Sequence, residues 1–228
     1  MFDEQLFSNR RRFLGSLAAG AATLGLAGIA NPLELAAHPL NPGPQADVKS
    51  FEAWLGRIKG KHKQVFDSMM LDNGMSLAYA RVFLMTNKAV GAADEDVTAV
   101  LVLRHEAIPI ALEDRLWAKY KIGEIAKVQD GMTKAPSERN FFWKPKPKDL
   151  PLPGMAVNEL LESGVLIGVC DMALTVFSRE LSEKAGMTPE DCKKDLVAGV
   201  LPGIQIVPSG VLALNRAQEH GCTYCWAG

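Results

Sequence analysis

The chain has 228 residues, of which 48% are hydrophobic and 22% charged, with a formal net charge of −1. A length of this order supports one well-buried core and falls short of two full domains. The near-zero charge, with no clustered basic surplus, excludes the usual nucleic-acid binder.

Residues 1–30 read as a targeting segment. Ser8-Asn9-Arg10-Arg11-Arg12-Phe13-Leu14-Gly15 carries two arginines, a free position and then Phe-Leu, the twin-arginine pattern. An uncharged, Ala- and Gly-rich run follows from Leu14 to Ala30, with small residues suited to cleavage at Gly28-Ile29-Ala30 or Leu35-Ala36-Ala37. Its weak hydrophobicity favours a removed signal over a membrane anchor. The expected address is therefore the periplasm or another exported site, with the twin-arginine export machinery as a partner. Removing Arg10, Arg11 and Arg12 with Asp3 and Glu4 leaves 22 basic and 24 acidic residues. Residues 31–50 hold four prolines and no periodicity, which predicts a linker.

From residue 51 onward the pattern alternates strand and helix. A strand containing Val65-Phe66-Asp67 precedes a helix from about Asn73 to Val90, with Met75, Tyr79, Val82 and Phe83 on one apolar face and Gly91 as its left-handed terminus. Val97 to Leu103 is a continuous apolar, β-branched strand, as expected where both faces are covered. It ends in Arg104-His105-Glu106, and a short helix from Ala111 to Tyr120 follows. Residues 129–154 carry five prolines and the cluster Asn140-Phe141-Phe142-Trp143. A loop this long is usually functional or docked, so a substrate gate or a subunit contact is expected here. Met155 to Glu162 reads as helix, Gly164 to Val169 as a buried strand ending at Cys170, and Asp171 to Ala185 as a helix with Val176, Phe177 and Leu181 inward, closed by Gly186. Thr188-Pro189 starts another helix. Gly203 to Val207 is a strand, Ser209 caps a helix reaching His220 before Gly221, and Cys222 to Trp226 is a last edge strand. The alternation predicts an α/β three-layer sandwich around a mainly parallel sheet of about five strands.

Ligands of open parallel sheets bind beyond the carboxyl ends of the strands. That rule selects Asp67 and Ser68, His105 and Glu106, Cys170 and Asp171, and Ser209 and Gly210. Cys170 is the chemical candidate, because unpaired amides at the start of the following helix stabilise a thiolate, with Asp171 opposing. His105, at a corresponding strand end, is suited to hydrogen-bond or deprotonate that thiol; a surface histidine is the alternative. Asp67 and Ser209 read as turn and capping residues first and substrate contacts second, with Gly210 beside them. Cys222-Thr223-Tyr224-Cys225 is a C-x-x-C that suits a local disulfide or redox pair, a metal held by Cys222 and Cys225, or two unpaired thiols. Trp226 stands where c-type haem attachment requires histidine. A straight strand points positions three apart to opposite faces, so pairing the two cysteines requires a turn. Cys192, His38, His62 and His220 have no partner at ligand-like spacing. No cofactor other than that metal is expected.

The stretch Val165-Leu166-Ile167-Gly168-Val169-Cys170, then Leu201-Pro202-Gly203-Ile204-Gln205-Ile206-Val207-Pro208-Ser209-Gly210-Val211, then Leu214 to Gln218 and Gly221, resembles the DsrE/DsrF-like family. The likeness extends more weakly to Val65-Phe66-Asp67 and Val100 to Leu103. It implies a small α/β protein that assembles into a homo-oligomer, and a sulfur-carrying thiol at Cys170 that exchanges persulfide sulfur with small sulfur species or a partner sulfur-transfer protein. A metal- or ligand-binding protein and a dithiol redox protein are the competing expectations.

Overall fold

The computed structural model describes residues 47–228. The expected export signal and most of the expected linker lie outside the described residues. The linker boundary at residue 50 is corrected: helix α1 spans Val48–Leu55, with the Asp47 carboxylate accepting from the Lys49 amide at 3.1 Å. Phe51, Trp54 and Leu55 are buried on its inner face. Four prolines just upstream masked this start, although the Asp cap and the i, i+3, i+4 apolar spacing are both present.

Five strands form one all-parallel sheet, in the order β4-β3-β2-β1-β5. They are β1 His62–Ser68, β2 Val97–Leu103, β3 Leu166–Cys170, β4 Gln205–Val207 and β5 Thr223–Trp226. Between them run α2 Met75–Ala89, α3 Asp114–Lys119, α4 Ile122–Ile125, α5 Val157–Glu162, α6 Asp171–Ala185, α7 Pro189–Ala198 and α8 Gly210–Glu219. The predicted three-layer α/β sandwich is present. Strand alternation divides its core cleanly: Phe66, Leu101, Leu103, Ile167 and Val169 face one cluster, whereas Val65, Val100, Val102, Leu166 and Val207 face the other. Helices α2, α3, α5, α6 and α7 cover the first face, and α1 and α8 the second. Gly168 lets α1 approach β3: a Cβ there would stand 3.2 Å from the Trp54 ring and 3.0 Å from Val207. Among the described residues no helix is long and apolar enough to cross a membrane.

Two helix faces differ from their sequence pattern. On α2 the buried residues are Ser76, Leu77, Ala78 and Ala80, while Tyr79 and Val82 are 42% and 46% exposed. Close approach to the sheet selects small side chains there: the Ser76 hydroxyl meets that of Ser68 at 2.8 Å. On α6, Leu181 is buried as expected, but Val176 is 65% exposed and Leu174 takes the inward place.

The long loop is corrected more deeply. Phe141 and Phe142 belong to the larger core cluster, their rings 4.4 Å apart, with Trp117 of α3 at 6.3 Å from each. The fully buried Asn140 donates through Nδ2 to the carbonyls of Ile110 at 2.9 Å and Leu112 at 2.7 Å, and its Oδ1 accepts from the Phe142 amide. Arg139 clamps Asp149 through two 2.8 Å bonds and Asp130 through a third at 3.0 Å. These rings complete the protein's own core rather than gate a pocket.

On the same side of the sheet, Asp195 of α7 ties this helix to α3. It accepts from Tyr120 Oη at 2.8 Å, from Lys119 Nζ at 2.6 Å and from Arg115. Burial raises the pKa of this carboxyl, but hydrogen bonds from Lys119, Arg115 and Tyr120 prevail and hold it down at about 2. A depressed folded-state pKa stabilises above the unfolded value of about 3.9, and that stability is lost as pH falls through the folded one. We expect Asp195→Asn to cost about 2 kcal/mol at pH 7. In urea titrations the difference from wild type should shrink between pH 4 and pH 2, the window set by the carboxyl's free and folded values. A difference independent of pH would refute the assignment.

Candidate functional site

The chain leaves β1, β2 and β3 toward the face covered by α2, α3, α6 and α7, and leaves β4 toward the face covered by α8. The direction therefore switches between neighbours β3 and β4. Open α/β sheets bind ligands in the crevice at such a switch, outside the carboxyl ends of the strands. Cys170 ends β3 in register with Val207, and Ser209 follows β4 two residues later.

Cys170 is the N-cap of α6. Its Sγ accepts from the Ala173 amide at 3.3 Å, one of the orphan donors of the first turn. Asp171, whose charge was expected to oppose a thiolate, is paired with Lys193 Nζ at 2.8 Å. Its carboxylate is thus largely offset by a neighbour on α7. Cys170 is 6% exposed and also touches the larger core. Surface clefts of about 410 Å³ and 340 Å³ are lined by other residues.

The charged partner at this rim is Arg104, the first residue beyond β2. Its Nε donates to Asp67 Oδ1 at 2.7 Å and its Nη2 to Oδ2 at 2.8 Å, a bidentate pair. Tyr224 of β5 donates its hydroxyl to the same carboxylate at 2.9 Å. The guanidinium is pushed above its ordinary range first by its hydrogen bonds to Asp67, with burial opposing and negative charge at Tyr224 and Cys170 adding to the rise. Arg104 runs across the start of α8, where a Cβ on Gly210 would come within 2.8 Å of its side chain. Gly210 is thus the residue that leaves room for the arginine. Ser209 caps α8, its hydroxyl accepting from the Leu212 amide at 3.2 Å.

The rim therefore gathers Cys170, Arg104, Asp67, Ser209, Gly210 and Tyr224. Asp67 is no turn residue: it lies inside β1, nearly fully buried, as the acceptor that orients Arg104 and Tyr224. His105 is exposed, with a backbone φ of 52°, and its imidazole makes no hydrogen bond among the described residues. The charged group held in place at this rim is its neighbour Arg104, through its bidentate pair with Asp67. The strand-end rule selects His105 and Glu106, the two residues after Arg104, and not Arg104 itself. Period-two alternation could have found it, because Val100, Val102 and Arg104 share one face.

Cys222 and Cys225 do not come together. The segment is extended, with Cys222 in the smaller core cluster and Cys225 against the larger one on the opposite side of the sheet. The turn that a disulfide or shared metal would need is replaced by strand pairing with β1. All four cysteines are free thiols. Burial pushes the Cys222 thiol up to about 11, with Lys63 partly opposing, and burial also raises Cys225.

No protein-family model and no curated protein matches this chain. What the rim can do is read from its own chemistry: a capped thiol, one oriented guanidinium and two helix starts suit a sulfur nucleophile that carries negative charge.

Proposed function

We propose that this chain is an exported DsrE-like sulfur carrier in which Cys170 holds the transferred sulfur as a persulfide. The observation that carries the reading is the Cys170 Sγ, which accepts an amide hydrogen bond at the start of α6 beside the sheet's switch point. Export rests on the arginine pattern Arg10-Arg11-Arg12-Phe13-Leu14, and a homo-oligomeric carrier is part of the same proposal.

The Cys170 thiolate attacks the terminal sulfur of a small polysulfide. An S–S bond forms to Cys170 while the donor's terminal S–S bond breaks, and the shortened donor leaves with the bonding pair. Attack by an acceptor thiolate on the outer sulfur reverses the step and returns the Cys170 thiolate, so no outside oxidant is consumed. Arg104 and the first amides of α6 offset the negative charge on the outer sulfur. The low exposure of Cys170 favours a small donor over a protein-borne one.

Intact-mass measurement after incubation with inorganic polysulfide and desalting tests this. Wild type should gain one sulfur atom, released again by a small thiol, and Cys170→Ser should gain none. The other three thiols, Cys192, Cys222 and the half-buried Cys225, stay in that variant and report any sulfur held elsewhere. An equal gain in the serine variant would show that the sulfur resides elsewhere.

A further inference from the structure

On the far side of α6 from the rim chemistry, the last two turns of that helix form a cleft of about 410 Å³ with the segment joining α3 to α4. That volume lies within the range of small-molecule sites. The inner wall is apolar, made by Leu181, Ile125 and the buried Tyr120, with the exposed Ala185 at its mouth. Charge is confined to Lys119, Lys121, Lys184 and Glu124. Lys119 is committed, since its Nζ donates to Asp195 at 2.6 Å and lies 5.0 Å from the Tyr120 ring centroid. The side chains of Lys121, Lys184 and Glu124 make no ion pair or hydrogen bond among the described residues. Two free ammonium groups against one free carboxylate leave a surplus of one positive charge over an apolar wall. Lys121 also sits at a backbone φ of 50°, a region that side-chain-bearing residues adopt only where their surroundings impose it.

We propose that this cleft binds a small monocarboxylate with an apolar body, its tail against Leu181, Ile125 and Ala185 and its carboxylate between Lys121 and Lys184. A single negative charge matches the surplus, and the Tyr120 and Leu181 surfaces supply the apolar contact that a fully hydrated inorganic anion would not use. This site is independent of the Cys170 chemistry.

Octanoate is the probe, followed by amide chemical shifts of the full chain. Saturable shifts are expected at Lys121, Glu124, Ile125, Leu181 and Ala185, and 1-octanol, with the same tail and no charge, should bind about tenfold more weakly, the factor that 1.4 kcal/mol corresponds to. The double variant Lys121→Glu/Lys184→Glu, both exposed positions, should lose affinity by at least that factor. Ala185→Trp keeps every charge and fills the cleft, and it should abolish the shifts. Octanoate binding that survives Ala185→Trp, that equals octanol binding, or that shifts residues away from this cleft would overturn the proposal.

Discussion

Phe142→Ala is expected to destabilise the protein by about 3–5 kcal/mol, the cost of deleting a fully buried aromatic side chain from a packed core. The ring has no exposed surface and packs with Phe141 and Trp117. Asn140 next to it holds three carbonyls of the segment after β2. For a domain of this size the loss corresponds to a drop in midpoint temperature of roughly 10 °C. A thermal melt read by far-UV circular dichroism measures it. If the aromatic cluster served instead as a gate over Cys170, the melt would hardly move and only the rate of sulfur uptake would change. The two readings therefore separate on one variant.

The second large effect is expected at Arg104. Arg104→Ala leaves the Asp67 carboxylate, 2% exposed, with only the Tyr224 hydroxyl as a side-chain partner. Breaking one side of a buried ion pair costs about 3–5 kcal/mol, because the remaining charge stays desolvated. Asp67→Ala should cost less, since the Arg104 side chain is 24% exposed and its guanidinium can turn to water. The double variant should be cheaper than the sum of the two, with a coupling of about 1–3 kcal/mol in a urea double-mutant cycle. Additive losses would mean that the bidentate pair is not a unit. Arg104→Ala should also slow sulfur loading of Cys170 in material that remains folded, and unaltered loading would remove Arg104 from the proposed chemistry.

Much of the architecture was legible in local pattern. Val97–Leu103 was readable residue for residue as β2, because a run of apolar, β-branched residues has no other stable place than a sheet covered on both faces. Asp171–Ala185 was bounded correctly by the strand before it and by Gly186, whose φ of 63° terminates α6. Thr188 before Pro189 and Ser209 before Gly210 marked two helix starts, and both hydroxyls cap as expected. The strand-end rule likewise brought Cys170, Asp67, Ser209 and Gly210 to one rim.

Other features are long-range, and no local pattern carries them. Of the apolar stripe Met75, Tyr79, Val82 and Phe83 on α2, Met75 and Phe83 pack against the core, Phe83 edge-on to Phe66 at 5.8 Å, while Tyr79 and Val82 are exposed and Ser76, Leu77 and Ala80 take the buried places. The proline-rich loop pattern pointed to a substrate gate or a subunit contact, because its register against Trp117 depends on hydrogen bonds spanning about thirty residues. No local pattern marks the pairing of Arg104, because its partner Asp67 is 37 residues away and Tyr224, which donates to the same carboxylate, is more than a hundred residues away.

By itself, then, the order of residues determined that strands and helices alternate, where most of them begin and end, and which strand tips share an edge. Those properties depend on neighbours a few positions apart, whose backbone geometry sets periodicity and capping. The tertiary structure alone decided which helix faces are buried, that the Phe141–Phe142 cluster is core, that Arg104 rather than His105 is held at the rim, and that Cys222 and Cys225 stand apart. Each of these is a choice between groups brought together by chain crossovers, where packing distance and desolvation outweigh local preference.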